Sequence, residues 1–312
     1  MGRYLIVGAA GYTGSRLAAH LLSHGHYVRG LVRSTDSDVV QRLAQQGMSV
    51  WEGDVTHPES LIGVAHSIEY VYNLTSRMVI ENGSVRRVAV EGNQNLIAAC
   101  SRARTVQAYV FTSNISPYGS RGDAWLTEDD PVSPEYPLGE VMIEAEQTIM
   151  ELVRQHHFPA IILRVGFIYG PERDFIEAIA SNTATMIGDG RNYMSRIHVD
   201  DLVPILDRVT QDGQPGALYN AADDEPTRAI DFYSAVRQRL GMVPPRERPA
   251  DQVLFAGMDP SVVGMSAASV RLSNQRMKEE LGIELRYPHF GAWVDEQLGE
   301  PVEELKALAV ND

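Results

Sequence analysis

Short apolar runs alternate with amphipathic stretches through the first half of the chain. The first run, Tyr4-Leu5-Ile6-Val7, leads straight into glycines spaced G-x-x-G-x-x-G at Gly8, Gly11 and Gly14. A stretch with Leu17, Ala18, Leu21 and Leu22 on one helical face follows. The order is strand, tight turn, helix. Further strands are predicted over 26–32, 48–51, 70–74, 108–112 and 160–165, with long helices over 85–102 and 136–156. Strands alternating with helices through short connections predict a parallel sheet covered on both faces, the doubly wound α/β class. After Gly170-Pro171 the pattern loosens. A helix is expected over 173–183, a short strand over 196–199, a helix capped by Asp200 or Asp201 and running through Val209, and one more sheet strand over 218–221. The remainder, with Pro244, Pro245 and Pro249, predicts a smaller lobe covering a substrate. The expected division is 1–170 plus about 196–222 for the sheet domain, and about 171–195 plus 223–312 for the lobe.

The glycine turn carries the first chemistry. Gly8 permits the tight turn, Gly11 lets backbone approach a diphosphate, and Gly14 lets helix and strand pack closely. Tyr12 and Thr13 lie inside the turn, where the helix N-terminus offers free N–H groups and a positive dipole end to phosphates. A dinucleotide is the expected ligand.

Composition narrows the partners. The 312 residues carry a net charge of −14, which argues against nucleic acid or an anionic membrane surface as a partner. Apolar content of 44% and charged content of 22% are ordinary for a globular protein with a real core. Cys100 is the single cysteine, so no intrachain disulfide or thiolate metal cluster is expected. No signal-peptide pattern and no run of 18 apolar residues is present, and a cytoplasmic location is the expectation. The nine histidines form no metal signature: His156 and His157 point about 100° apart on a helix, the wrong geometry for one ion.

Several short motifs, in order, resemble those of the extended short-chain dehydrogenase/reductases of the NAD-dependent epimerase/dehydratase family. They are the Gly8–Gly14 turn, Gly53-Asp54-Val55, Asn73-Leu74-Thr75 and Glu91-Gly92-Asn93-Gln94-Asn95-Leu96. Phe111-Thr112-Ser113 with Tyr118-Gly119, Leu163-Arg164 with Tyr169-Gly170-Pro171, Ile197-His198-Val199-Asp200-Asp201 and Leu218-Tyr219-Asn220-Ala221 complete the series. The resemblance implies a Rossmann-type sheet and a nicotinamide cofactor, with Asp54 and Val55 flanking the adenine and Asn73, Leu74 and Thr75 near the nicotinamide edge, which extends to Ser76. Family members selecting NAD carry an acid near the end of the second strand. Here that position is Val32 with Arg33 beside it, which favours the 2′-phosphate of NADP(H) over NAD(H).

The resemblance implies a catalytic Ser/Thr, a Tyr, and a Lys four residues after the Tyr. This chain keeps Tyr136 but places Glu140 where the Lys belongs and Asn114 where the Ser/Thr belongs. A carboxylate beside Tyr136 would raise rather than lower its pKa. The only lysines are Lys278 and Lys306, both near the C-terminus. Asn114 can donate to a substrate oxygen but cannot shuttle a proton. Nucleotide-sugar members resemble one another in an Asn where this chain has Phe167 and an Arg where it has Met194. Phe167, Met194, Met78, Tyr118 and Trp125 suit a small apolar molecule instead. By the resemblance, the two long helices could pair across a homodimer, with Glu140, Glu144, Glu146 and Glu151 forming an exposed acidic face on the second. The expected function is an atypical NADP(H)-binding reductase, or a redox-neutral epimerase/dehydratase-like enzyme, acting on a small non-nucleotide substrate. The rival is a catalytically silent NAD(P)-binding regulatory or assembly protein.

Overall fold

The computed structural model describes residues 1–75, 84–173, 175–181, 183–184, 186–243 and 259–299. Ser76, Met78, Pro244, Pro245, Pro249 and Lys306 lie outside these residues. The strands in chain order are β1 (Arg3–Val7), β2 (Tyr27–Val32), β3 (Ser49–Glu52), β4 (Tyr70–Asn73), β5 (Ala108–Asn114), β6 (Trp125–Leu126) and β7 (Ala160–Val165). After the crossing come β8 (Phe167–Tyr169), β9 (Tyr193–Met194), β10 (Arg196–His198) and β11 (Leu218–Ala221), then β12 (Thr227–Arg228) and β13 (Arg271–Leu272).

Seven strands form one parallel sheet in the order β11-β7-β5-β4-β1-β2-β3. Its two faces bury alternate residues of each strand, as a pleated strand must. Leu5, Val7, Val71, Tyr109, Phe111 and Ile162 face the helices Gly92–Ala103 and Pro137–His156. Tyr4, Ile6, Tyr72, Val110, Ile161 and Leu163 face the helices Tyr12–Ser23 and Val199–Asp212. This is the doubly wound arrangement read from the sequence. A separate aromatic cluster forms away from the sheet, in which Tyr169, Phe232, Phe290 and Trp293 pack edge to face or tilted. Among the described residues no helix is long and apolar enough to cross a membrane.

Three local expectations change. The helix expected over 85–102 is present and continuous from Ser84 to Ala103, but it carries a π-turn over Arg87–Glu91. A Cβ on Gly92 would stand 2.7 Å from Val55, so that glycine sets how closely the helix approaches. The helix expected over 173–183 shrinks to Ile176–Ala180, because Glu172 and Phe175 both take positive φ (67° and 58°) and break it at its start. The third change concerns the helix after β10. Its cap is not Asp200 or Asp201 but His198, whose Nδ1 accepts from the Asp200 amide at 3.1 Å. Asp201 turns instead to a C-terminal segment, accepting from the amides of Arg286 at 2.7 Å and Tyr287 at 3.0 Å.

Candidate functional site: a cleft at the strand C-termini

A cleft of about 1180 Å³ opens where β1, β4, β5 and β7 end. Parallel sheets place ligands there because the strand ends and helix starts converge. One end is polar backbone: Gly8, Gly11, Tyr12, Thr13 and Gly14, faced by Leu74 and Thr75. The middle is Thr112, Ser113, Asn114 and Ile115. The far walls are apolar, from Val85, Val88 and Ala89 on one side through Met142, Phe167, Val262 and Met265.

The turn is shaped for close approach. Gly8 has φ +86°. A Cβ on Gly14 would lie 2.2 Å from the Gly8 carbonyl oxygen, and one on Gly11 3.1 Å from the same atom. Gly11 caps the Tyr12–Ser23 helix without a side chain, and no acid occupies the first turn. The helix N–H groups therefore face open cleft, a cradle that fits the diphosphate of a dinucleotide. Tyr12 stays a neutral phenol: burial pushes its pKa up to about 12, although Arg16 and Arg173 pull it down.

The other residues expected at the cofactor divide by position. Asn73 is fully buried; its amide donates to Asn93 at 2.9 Å and Tyr109 at 3.3 Å, while its Oδ1 accepts from the Thr75 amide and hydroxyl. Its side chain thus shapes the Leu74-Thr75 rim rather than reaching into the cleft. Val55 is buried against Gly92, and its carbonyl accepts from Asn95. Arg33 is exposed at the end of β2. Partial burial works against the Asp54 carboxylate. Hydrogen bonds from the Thr56 amide and hydroxyl, with the charges of His57 and Arg33, nonetheless hold its pKa below the usual range. Arg33, Asp54, Val55 and Asn73 do not line the cleft itself.

At the substrate end the structure brings Asn114 to the cleft and not Tyr136 or Glu140. Asn114 Oδ1 accepts from the Ser116 amide at 2.9 Å, which turns its NH₂ outward as a donor. Tyr136 precedes the Pro137–His156 helix and packs on Gly264; its hydroxyl is buried with no partner among the described residues. Burial, with Glu135 adding, drives its pKa far above the ordinary phenol value. Glu140 is exposed on the first helical turn. From that helix Met142 lines the cleft, while Leu138 and Glu146, four positions to either side on the same face, are buried. The apolar stripe Leu138, Met142, Ala145, Ile149 was the sequence signal for that face.

Glu146 corrects the expected acidic surface. It is 5% exposed and binds Arg164, itself 4% exposed, through Nε at 3.1 Å and Nη2 at 2.7 Å. Ser113 donates to the same carboxylate at 2.5 Å, so its one proton is committed and its lone pairs alone remain for the cleft. Arg164 lies 4.5 Å over the Tyr118 ring; Tyr118 is fully buried and donates to Asn220 and Thr127. Trp125 is exposed beneath Arg271. Of the apolar set named from sequence, Phe167 lines the cleft and Met194, Tyr118 and Trp125 do not. Arg196 is committed elsewhere. It donates to Met194 and Thr227 and stacks 4.3 Å over Phe232, and burial draws its pKa down to about 10.

Comparison with known proteins adds kinship. The profile of the NAD dependent epimerase/dehydratase family matches residues 4–222. A UDP-glucose 4-epimerase of Mycolicibacterium smegmatis is 26% identical over 308 residues, covering 90% of this chain and 92% of its own. Protein YeeZ of Escherichia coli K12 is 26% identical over 297 residues, covering 92% and 97%. The dTDP-glucose 4,6-dehydratase of Bacillus anthracis, solved in complex with NAD, has the same fold at TM-score 0.80 and 19% identity, covering 100% of this chain and 98% of its own.

Proposed function

The chain belongs to the NAD-dependent epimerase/dehydratase family, and from that premise we propose that it binds NADP(H) and acts on a small, non-nucleotide substrate. The observation carrying this reading is the cleft wall: the helix residue that lines the cleft with Asn114 is the apolar Met142, and Glu146 one turn on is already bound to Arg164. When bound, the cofactor supplies or accepts hydride. The protein's own part is to bind and orient. Asn114 Nδ2 donates to a substrate oxygen, Ser113 Oγ accepts from a substrate donor, and Met142, Phe167 and Met265 exclude water from an apolar body.

Two relatives carry nucleotide-sugar names, yet two features favour a smaller substrate here. Phe167 occupies the cleft wall, and Arg196 is buried with its Nη1 held by Met194 and Thr227. A diphosphate-linked sugar would find no free guanidinium from that strand. A second reading, a silent dinucleotide-binding protein, is favoured by the apolar Met142 as the helix residue lining the cleft with Asn114.

One experiment separates these readings. Titrate the protein with NADPH and NADH by nicotinamide fluorescence. Then follow absorbance at the nicotinamide band with small ketones, aldehydes and enones, and with UDP-glucose and dTDP-glucose as counter-substrates. Turnover of a small carbonyl compound with NADPH supports the enzyme reading. Turnover of a nucleotide sugar overturns the substrate class, and tight binding with no turnover leaves the silent reading standing.

A further inference from the structure

Resting on the dinucleotide reading above, we infer that Arg173 is a further diphosphate-binding residue, parked on the Tyr12 ring by the turn that carries the chain into the second lobe. That turn is strapped to the glycine-rich loop at several points. The Tyr12 hydroxyl donates to the Pro171 carbonyl at 2.7 Å. Arg16 donates to the Tyr12 carbonyl at 3.1 Å, the Pro171 carbonyl at 3.3 Å and the Glu172 carboxylate at 3.2 Å. The Tyr12 ring lies near two guanidinium groups, Arg16 at 4.0 Å and Arg173 at 4.5 Å from its centroid.

The backbone is bent to make this approach. Gly170 has φ +137°, and a Cβ there would stand 3.2 Å from the Tyr12 hydroxyl and 2.9 Å from His198 Nε2. Glu172 takes φ +67°, a costly state for a residue with a side chain.

The two arginines differ in what else they touch. Arg16 is neutralised by Glu172. The Arg173 side chain has no hydrogen bond or ion pair among the described residues, and it lines the cleft beside Tyr12, Thr13 and Gly14. A guanidinium stacks through its face and donates through its edge, so Arg173 can keep Tyr12 and still point N–H groups at a phosphate. Position selects the diphosphate rather than the 2′-phosphate. Tyr12 opens the helix at the glycine turn, whereas Arg33 stands at the end of β2. Arg173 therefore strengthens every dinucleotide alike.

The test titrates wild type, Arg173→Ala and Arg173→Lys with NADPH, NADH and ADP-ribose, and melts each protein without ligand. A charge-assisted contact at a partly open site is worth about tenfold in affinity. Arg173→Ala should weaken all three ligands by about that factor, with Arg173→Lys recovering part of it and the ligand-free melting temperature unchanged. Added salt should narrow the gap between wild type and Arg173→Ala. Affinities within twofold of wild type, or a loss that runs in step with a lowered ligand-free melting temperature, would overturn the inference. If wild type binds none of the three ligands, the dinucleotide reading itself fails and takes this one with it.

Discussion

Glu146 holds Arg164 beneath the cleft floor by two hydrogen bonds, at 3.1 and 2.7 Å, and both side chains are buried. Two buried charges stabilise a fold only while both are present, since either alone is desolvated without compensation. Glu146→Ala is expected to cost about 3–5 kcal/mol by urea unfolding. The double variant Glu146→Leu with Arg164→Met should cost less than either single truncation. Additive costs would mean that the pair is not coupled.

His198 gives the protein an acid-side instability. Burial holds its imidazole pKa down to about 4 from 6.5, although Asp200 pulls it upward. Its Nδ1 must stay unprotonated to accept from the Asp200 amide. The folded-state value lies below the unfolded one, so the unfolded chain takes up the proton first. Stability is full above about pH 6.5 and falls between there and about pH 4, by up to about 3 kcal/mol. His198→Asn keeps a capping acceptor without titrating. Its urea-unfolding stability should change less between pH 7 and pH 4.5 than wild type does; equal slopes would rule His198 out.

The sheet was legible because its signals are local. The first strand is an apolar run from Tyr4 to Val7, and the turn at Gly8, Gly11 and Gly14 needs only neighbours in sequence to be recognised. What could not be read depends on distant partners. Glu146 reads as one acid among several until Arg164, on a different element, meets it in the interior. Asp201 resembles a helix cap until the amides of Arg286 and Tyr287 are seen to use it. Tyr136 and Glu140 show the expected spacing of four, but Tyr136 caps the helix in extended backbone and packs on Gly264, while Glu140 is exposed on the first turn. Only the stripe from Leu138 to Ile149 told which face was inward.

That choice of face has a direct consequence. The Tyr136 hydroxyl is buried without a partner among the described residues, so Tyr136→Phe removes an unsatisfied group. Stability should hold or rise by up to about 1 kcal/mol, and turnover of any substrate found should stay within about twofold, as it should for exposed Glu140→Gln. Met142→Lys instead places an ammonium in the apolar wall and should weaken substrate binding by more than about tenfold. Steady-state kinetics on the three variants decides it. Loss of turnover in Tyr136→Phe with Met142→Lys unaffected would reverse the assignment.

Arg33 should set cofactor choice. It is exposed at the end of β2, where a 2′-phosphate on the adenosine ribose would arrive, and no acid follows Val32 to hold free ribose hydroxyls. Asp54 is close enough to feel the Arg33 charge. A 2′-phosphate would therefore meet an attraction and a repulsion, with Asp54 partly engaged by Thr56. The solvent-facing guanidinium should win, because the Asp54 carboxylate is already held by the Thr56 amide and hydroxyl. Arg33→Ala is expected to weaken NADPH about tenfold and leave NADH unchanged, while Arg33→Asp should invert the preference by supplying the missing carboxylate. Fluorescence titration of both cofactors measures the ratio directly. Equal affinity of wild type for NADPH and NADH would show that Arg33 merely faces solvent.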